Sequence, residues 1–186
     1  WTNSTSLYVG GNSSGSGGVG TLNLYDSGLV TVADTTKLWD TGTLNLAGGN
    51  LTTGSFNNSD AGIFNFHDGT LTVNGAGEVF DPGTRDFTIN GNSSDDTPHL
   101  VIANTASTAY PSHLNLIVGD NNQGALTIQS GGNVRTRNSY IGDSSGSTGE
   151  VTATGSGSHW NNSNDLSVGS SGTGTLNVKA GGVVSN

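Results

Sequence analysis

The chain reads as an all-β parallel solenoid, and three observations say so. The phrase WTNSTSLYVGGNSSGSGGVGTLNL, which starts at Trp1, returns in shortened form as WNNSNDLSVGSSGTGTLNV from Trp160. Apolar strand positions recur at a short step: Leu126, Val151 and Leu176 lie 25 residues apart, while Leu22, Leu44 and Phe64 step by 22 and 20. Glycine supplies the punctuation, with 31 glycines against no cysteine and no methionine. Self-similarity at a period of a few tens of residues marks a repeat architecture in which each unit buries its apolar face on its neighbours.

Each period holds up to three strand types. The first is short, apolar and closed by glycine: LYVG at 7–10, LIVG at 116–119, YIG at 140–142 and LSVG at 166–169. The second alternates polar and apolar residues: TLNL at 21–24 and 43–46, IFNF at 63–66, ALTI at 125–128, EVTA at 150–153 and TLNV at 175–178. Period two is the strand period. The third follows a glycine turn: SGLVTV at 27–32, GGNLTT at 48–53, DGTLTV at 68–73, GGNVRT at 131–136 and GGVVSN at 181–186. Two or three such strands joined by glycine corners fill one turn of a β-solenoid. Each strand is then expected to pair in parallel with its equivalent one coil away, at about 4.8 Å per coil, so that about seven to eight coils make a rod on the order of 35 Å long.

Within this scheme Leu, Val, Ile and Phe point into a narrow core. Asn23, Asn45, Asn65 and Asn177, with Thr127 and Thr152, point outward, where stacked amides and hydroxyls can bond along the rod. The hydrophobic fraction, 31%, is thin for a globular core but enough for one that is a single side chain deep. Thr70-Leu71-Thr72 and Thr152-Ala153-Thr154 stand apart in the sequence, so no flat array of matched threonines is expected. Pro82, Pro98 and Pro111 all fall within residues 74–115, where the repeat is hardest to see. That interval is expected to hold one or two degenerate coils with longer loops, within a single solenoid domain spanning 1–186.

Charge narrows the partners. Fourteen acidic residues against five basic ones give a net charge of −9. Nucleic acid and anionic membranes both require a basic stripe, and neither is expected as a partner. No run of 18 apolar residues is present, so no transmembrane helix is expected. Low charge density with abundant Ser, Thr, Asn and Gly points to an exported protein.

The alternation of (L/Y)xVG, GTLN(L/V) and GG-x-(V/L), together with IGDSSGSTGEVTATGSGSHWNNSNDLSVG, resembles the repeats of autotransporter passengers and of related bacterial exported proteins with a C-terminal sorting signal. Residues 140–182 carry the resemblance best, with 7–53 and 116–137 behind them. The resemblance implies a right-handed parallel β-helix displayed outside the bacterial cell and used in adhesion, biofilm matrix or fibre formation. It implies a location and a scaffold, not a ligand.

Candidate chemistry is sparse. Calcium requires six to eight oxygen ligands around one point. Asp95 and Asp96, and Asp120 and Asp143 after their strand-ending glycines, are the acidic residues that raise it; Asx-type turn bonding is the simpler reading. No other cofactor is expected. Glycoside hydrolysis would need two carboxylates about 5 to 9.5 Å apart. Arg85, between Asp81 and Asp86 in DPGTRDF, is the one local grouping of this kind, and it reads first as a Pro-Gly turn with a solvated ion pair. His67, His99, His113 and His159 lack metal spacing and read as exposed turn or loop residues. The chain is therefore not expected to be an enzyme. Trp39, Arg85, Arg135 and Arg137 are the candidates for contact with a glycan or matrix ligand through lateral loops, chiefly 10–20 and 81–99. Trp1 and Trp160, at equivalent positions, are expected to fold over the coil edges.

The ends complete the reading. An uncapped solenoid exposes strand edges and core side chains. Trp1, Leu7 and Val9 at one end and Val183 and Val184 at the other are thus expected to meet further turns. These turns belong either to a longer polypeptide or to copies of the same chain stacked end to end into an extracellular filament.

Overall fold

The structure is a computed structural model that describes residues 1–77, 79–83, 85–104, 106–108 and 115–186; Pro111 and His113 lie outside the described residues. Its strands form a parallel β-solenoid of about seven turns with no helix among the described residues. Three faces close around one core, each built by stacking strands from successive turns. One 14-stranded sheet wraps two of them, because Leu29–Leu38 and Asn50–Asn57 are long enough to turn the corner between faces.

The stacking departs from the expected one at a single place. In the N-terminal turns, Gly20–Tyr25, Gly42–Ala47 and Ile63–Phe66 stack on each other, as their shared GTLN pattern predicts. The C-terminal strands with that pattern do not continue this stack. Gln123–Gln129 pairs instead with His99–Ile102, which pairs with Thr70–Val73, a strand of the third type. One inward column therefore runs Val30, Leu51, Leu71, Leu100, Leu126, Val151, Leu176. The other two faces rotate likewise. The strand type of Leu7–Val9 passes through Val79–Asp81 and Ser107–Thr108 to the type of Asn133–Thr136. The face of the GTLN strands gives way to Phe87–Ile89, Leu116–Val118, Ser139–Ile141 and Leu166–Val168. The motif order along the chain is the same in both halves, but it is rotated by one face between them.

The rotation occurs within residues 74–115, and all five phenylalanines gather on it. Phe56 and Phe64 are 4.8 Å apart between ring centroids, Phe56 and Phe80 5.7 Å, Phe80 and Phe87 5.2 Å, Phe64 and Phe66 5.5 Å, and Phe64 and Phe87 6.3 Å. Large rings fill the core where aliphatic columns of different phase meet. Elsewhere the core is one side chain thick, with Leu44, Leu51, Ile89, Leu126, Ile141 and Val151 fully buried.

Outward positions carry the polar ladders. Asn65 donates its amide to Asn45 and Asn45 to Asn23, both at 2.7 Å. Asn177 does not belong to that ladder. It lies on another face and bonds Glu150 at 3.0 Å. A second ladder runs Asn164 to Asn138 at 2.7 Å, Asn138 to Asn115 at 2.8 Å and Asn115 to Asp86 at 2.9 Å. Both Asp86 oxygens accept from Asn115, so the carboxylate ends a chain of amides that all donate in one direction. Threonines match between turns in one outward column, Thr2, Thr31, Thr52 and Thr72, which continues after Val101 in Thr127 and Thr152; the adjacent column holds Leu29, Asn50, Thr70, His99, Ala125 and Glu150, so no flat Thr-x-Thr array forms.

Candidate functional site

The face rotation leaves an opening. Ile63–Phe66 is paired only with the turn before it and Phe87–Ile89 only with the turn after it, although both belong to neighbouring turns. Backbone groups alternate between the two edges of a strand. Phe87 N–H donates to Asn115 O, and Ile89 O accepts from Gly119 N, so the N–H and C=O of Thr88 face the opening. Two contiguous cavities of about 310 and 350 Å³ follow the break, sharing Asn58, Gly62, Pro82 and Arg85. Phe64, Phe66 and Phe87 form the floor, and Asn65 and His67 face Asp86, Thr88 and Asn90 across it.

Polar groups along this groove are unequally satisfied. Asp81 Oδ1 accepts from Gly83 N at 2.9 Å, closing the Pro82-Gly83 turn. Asp86 accepts from both the backbone and the side chain of Asn115, at 2.9 Å each. The acids that flank Arg85 in sequence are thus used as caps. Among the described residues the one ion pair is Lys37 with Asp60, so the pair expected at Arg85 is not formed and its guanidinium is exposed on the groove rim. Asn90 Oδ1 accepts three successive amides, Asp120, Asn121 and Asn122, at 2.9 to 3.0 Å. Asn58 is 5% exposed, and its Nδ2 donates to Gly62 O and Pro82 O, but its Oδ1 has no partner.

The other sequence candidates are dispersed. Trp39 lies far from Arg85 in role: its Nε1 donates to Asn12 O at 3.1 Å, Lys37 Nζ sits 4.6 Å from its ring centroid, and it holds down the Gly11–Asn12 and Gly15–Ser16 hairpin. Lys37 is buried and also bonds Asn57 and Ser59; its hydrogen bond holds the Asp60 carboxyl below its usual range against a desolvation effect of opposite sign. Arg135 and Arg137 are exposed on either side of buried Thr136. Asp120 accepts from Asn121 and Ser144, and Asp96 from Ser93 N, as turn residues do. Asp95 is exposed beside Asp96, and Asp143 N donates to Gly119 O. No group of three or more His, Cys, Asp or Glu side chains converges among the described residues.

Three expectations are corrected. Trp160 does not fold over a coil edge; it is 1% exposed inside the core, between Val134 and Val184, with Nε1 donating to Thr136 Oγ1. Trp1, at the equivalent sequence position, is 65% exposed. His99 and His159 lie on strands, not in loops, and half-buried His99 bonds Thr127 Oγ1 at 2.9 Å. Burial lowers the His99 pKa, and the nearby Glu150 charge opposes this. Among the end residues, Val9 is already buried in its own stack, and Val183 lies in an outward column with Asn133 and His159. Leu7 and Val184 are partly covered residues of the core columns.

The groove escaped the sequence reading because it arises from a change of stacking phase, and only the Arg85 loop that borders it was singled out. No helix of the described residues is long and apolar enough to cross a membrane. No family model, curated protein or solved structure matches the chain.

Proposed function

We propose that the chain is a non-catalytic structural segment of an extracellular rod or filament, at a bacterial surface or in a biofilm matrix, that lengthens by parallel stacking of turn upon turn. The observation that supports this is the stacking itself: strands of successive turns pair in parallel, and one inward column runs unbroken from Val30 through Leu51, Leu71, Leu100, Leu126 and Val151 to Leu176, so each turn serves as the template for the next.

The acidic, cysteine-free composition and the resemblance to exported β-helix repeats support the location. In this reading the rod lengthens either within one polypeptide or by copies stacked end to end, and a head-to-tail contact between copies does not close and yields a fibre. Electron microscopy of purified protein, with the intact mass of the denatured chain from the same sample, tests the proposal. Filaments of chains near 18.7 kDa are the outcome for copies stacked end to end. Filaments of a much heavier chain indicate one long rod, and discrete short rods overturn end-to-end self-association.

A further inference from the structure

We propose that the groove between Ile63–Phe66 and Phe87–Ile89 is a binding site for a carboxylated saccharide, with Arg85 receiving the carboxylate and the open Thr88 strand edge bonding sugar hydroxyls. The inference stands apart from the end-to-end stacking described above, since the groove lies on the side of the rod.

Three independent features define the ligand. The first is the open strand edge at Thr88, whose backbone N–H and C=O face the groove without a strand partner among the described residues. The second is an exposed guanidinium whose neighbouring acids are engaged elsewhere, Asp81 with Gly83 and Asp86 with Asn115. Guanidinium forks match carboxylates in a planar, two-pronged geometry. The third is an aromatic floor between polar banks, the arrangement that suits a sugar ring with its apolar C–H face and its hydroxyl rim. The larger cavity, about 350 Å³, falls at the low end of the range of about 300–1,000 Å³ for small-ligand sites.

The Thr88 edge offers a backbone donor and acceptor that a sugar hydroxyl can use without the register that a peptide strand would require. Phe64 and Phe87 remain stacked at 6.3 Å, so the two turns are splayed but leave no room for an inserted strand.

The test is titration of the whole chain with trisaccharides of galacturonate and glucuronate, with sialyllactose, and with galactose and lactose as neutral controls, followed by calorimetry and by NMR shifts of His67 and the phenylalanine rings. At least one acidic probe is expected to bind in the micromolar to millimolar range, weakening with salt, with shifts confined to the groove. Arg85→Gln, at an exposed position, is expected to lose at least tenfold in affinity while circular dichroism stays unchanged. Thr88→Tyr, which crowds one bank, is expected to block binding, and Arg137→Gln to leave it unaltered. The proposal is overturned if every acidic probe fails to bind, if Arg85→Gln binds as well as the parent chain, if neutral sugars bind equally, or if the shifts map to Arg135 and Arg137.

Discussion

The N-terminal turns, residues 1–73, and the C-terminal turns, 115–186, use the same strand types in the same order, yet the two halves stack one face out of phase. Leu44 and Leu126 occupy equivalent motif positions but lie on different faces. The halves also finish their corners differently. In the first, Thr36 donates to Thr53 Oγ1 beside Phe56 and Leu38. In the second, Thr136, Ser139, Asn162 and Trp160 share a buried network with contacts of 2.8 to 3.1 Å. The difference teaches that a solenoid can change motif phase without interrupting its core, provided one turn absorbs the mismatch. Here that turn carries the phenylalanines, and its cost is a face left unpaired.

The sharpest way to break the comparison is at the junction. Phe80→Ala removes a fully buried ring that contacts both Phe56 and Phe87, and is expected to cost about 3–5 kcal/mol. Because this ring joins the two phases, chemical denaturation should separate into two transitions, one per half. A single transition, with a loss no larger than that of Leu126→Ala, would show that the halves are coupled through the continuous ladders alone.

A smaller effect is expected inside the regular half. Gly142, at φ +67°, closes a corner where a Cβ would strike the carbonyl of Thr173 in the next turn. Gly146 has φ +85° with open space around it. Gly142→Ala is expected to cost about 2–4 kcal/mol, from left-handed strain plus overpacking, and Gly146→Ala about 1 kcal/mol from strain alone. Equal losses in thermal melts would mean that backbone conformation, not close stacking of turns, sets the glycine requirement.

The smallest effect is a pH dependence centred on the junction. Burial lowers the His99 pKa below 6.5, so the folded state favours neutral imidazole. That contribution is complete above pH 6.5 and is lost as pH falls from there through the folded-state value, because the unfolded chain takes up the proton first. Urea titrations at successive pH values should show this decline, and His99→Gln should remove it. A decline that persists in the variant would assign it to other groups, such as Asp60, whose contribution is lost only as pH falls below 3.8 and through its lowered folded-state value.

Much of this architecture was legible in the chain because its determinants are local. The alternation in TLNL and LTV sets which residues face in, the glycines after LYV, LIV and YI set the corners, and the 20-to-25-residue step sets the circumference. The face on which each strand stacks was not legible. Leu51-Thr52-Thr53, Leu71-Thr72-Val73, Leu126-Thr127-Ile128 and Val151-Thr152-Ala153 all present the same in-out-in pattern, so a strand of one type fits on a strand of another without burying a polar side chain. The threonine column, the opening beside Phe64 and Phe87, and the meeting of Asn58 with Arg85 all follow from that choice. Side-chain period and turn chemistry are properties of a few consecutive residues and by themselves point to a parallel solenoid with two or three strands per turn. Stacking phase compares residues a full turn apart, so only the tertiary structure decided it, and with it the place of the phenylalanine cluster and of the groove.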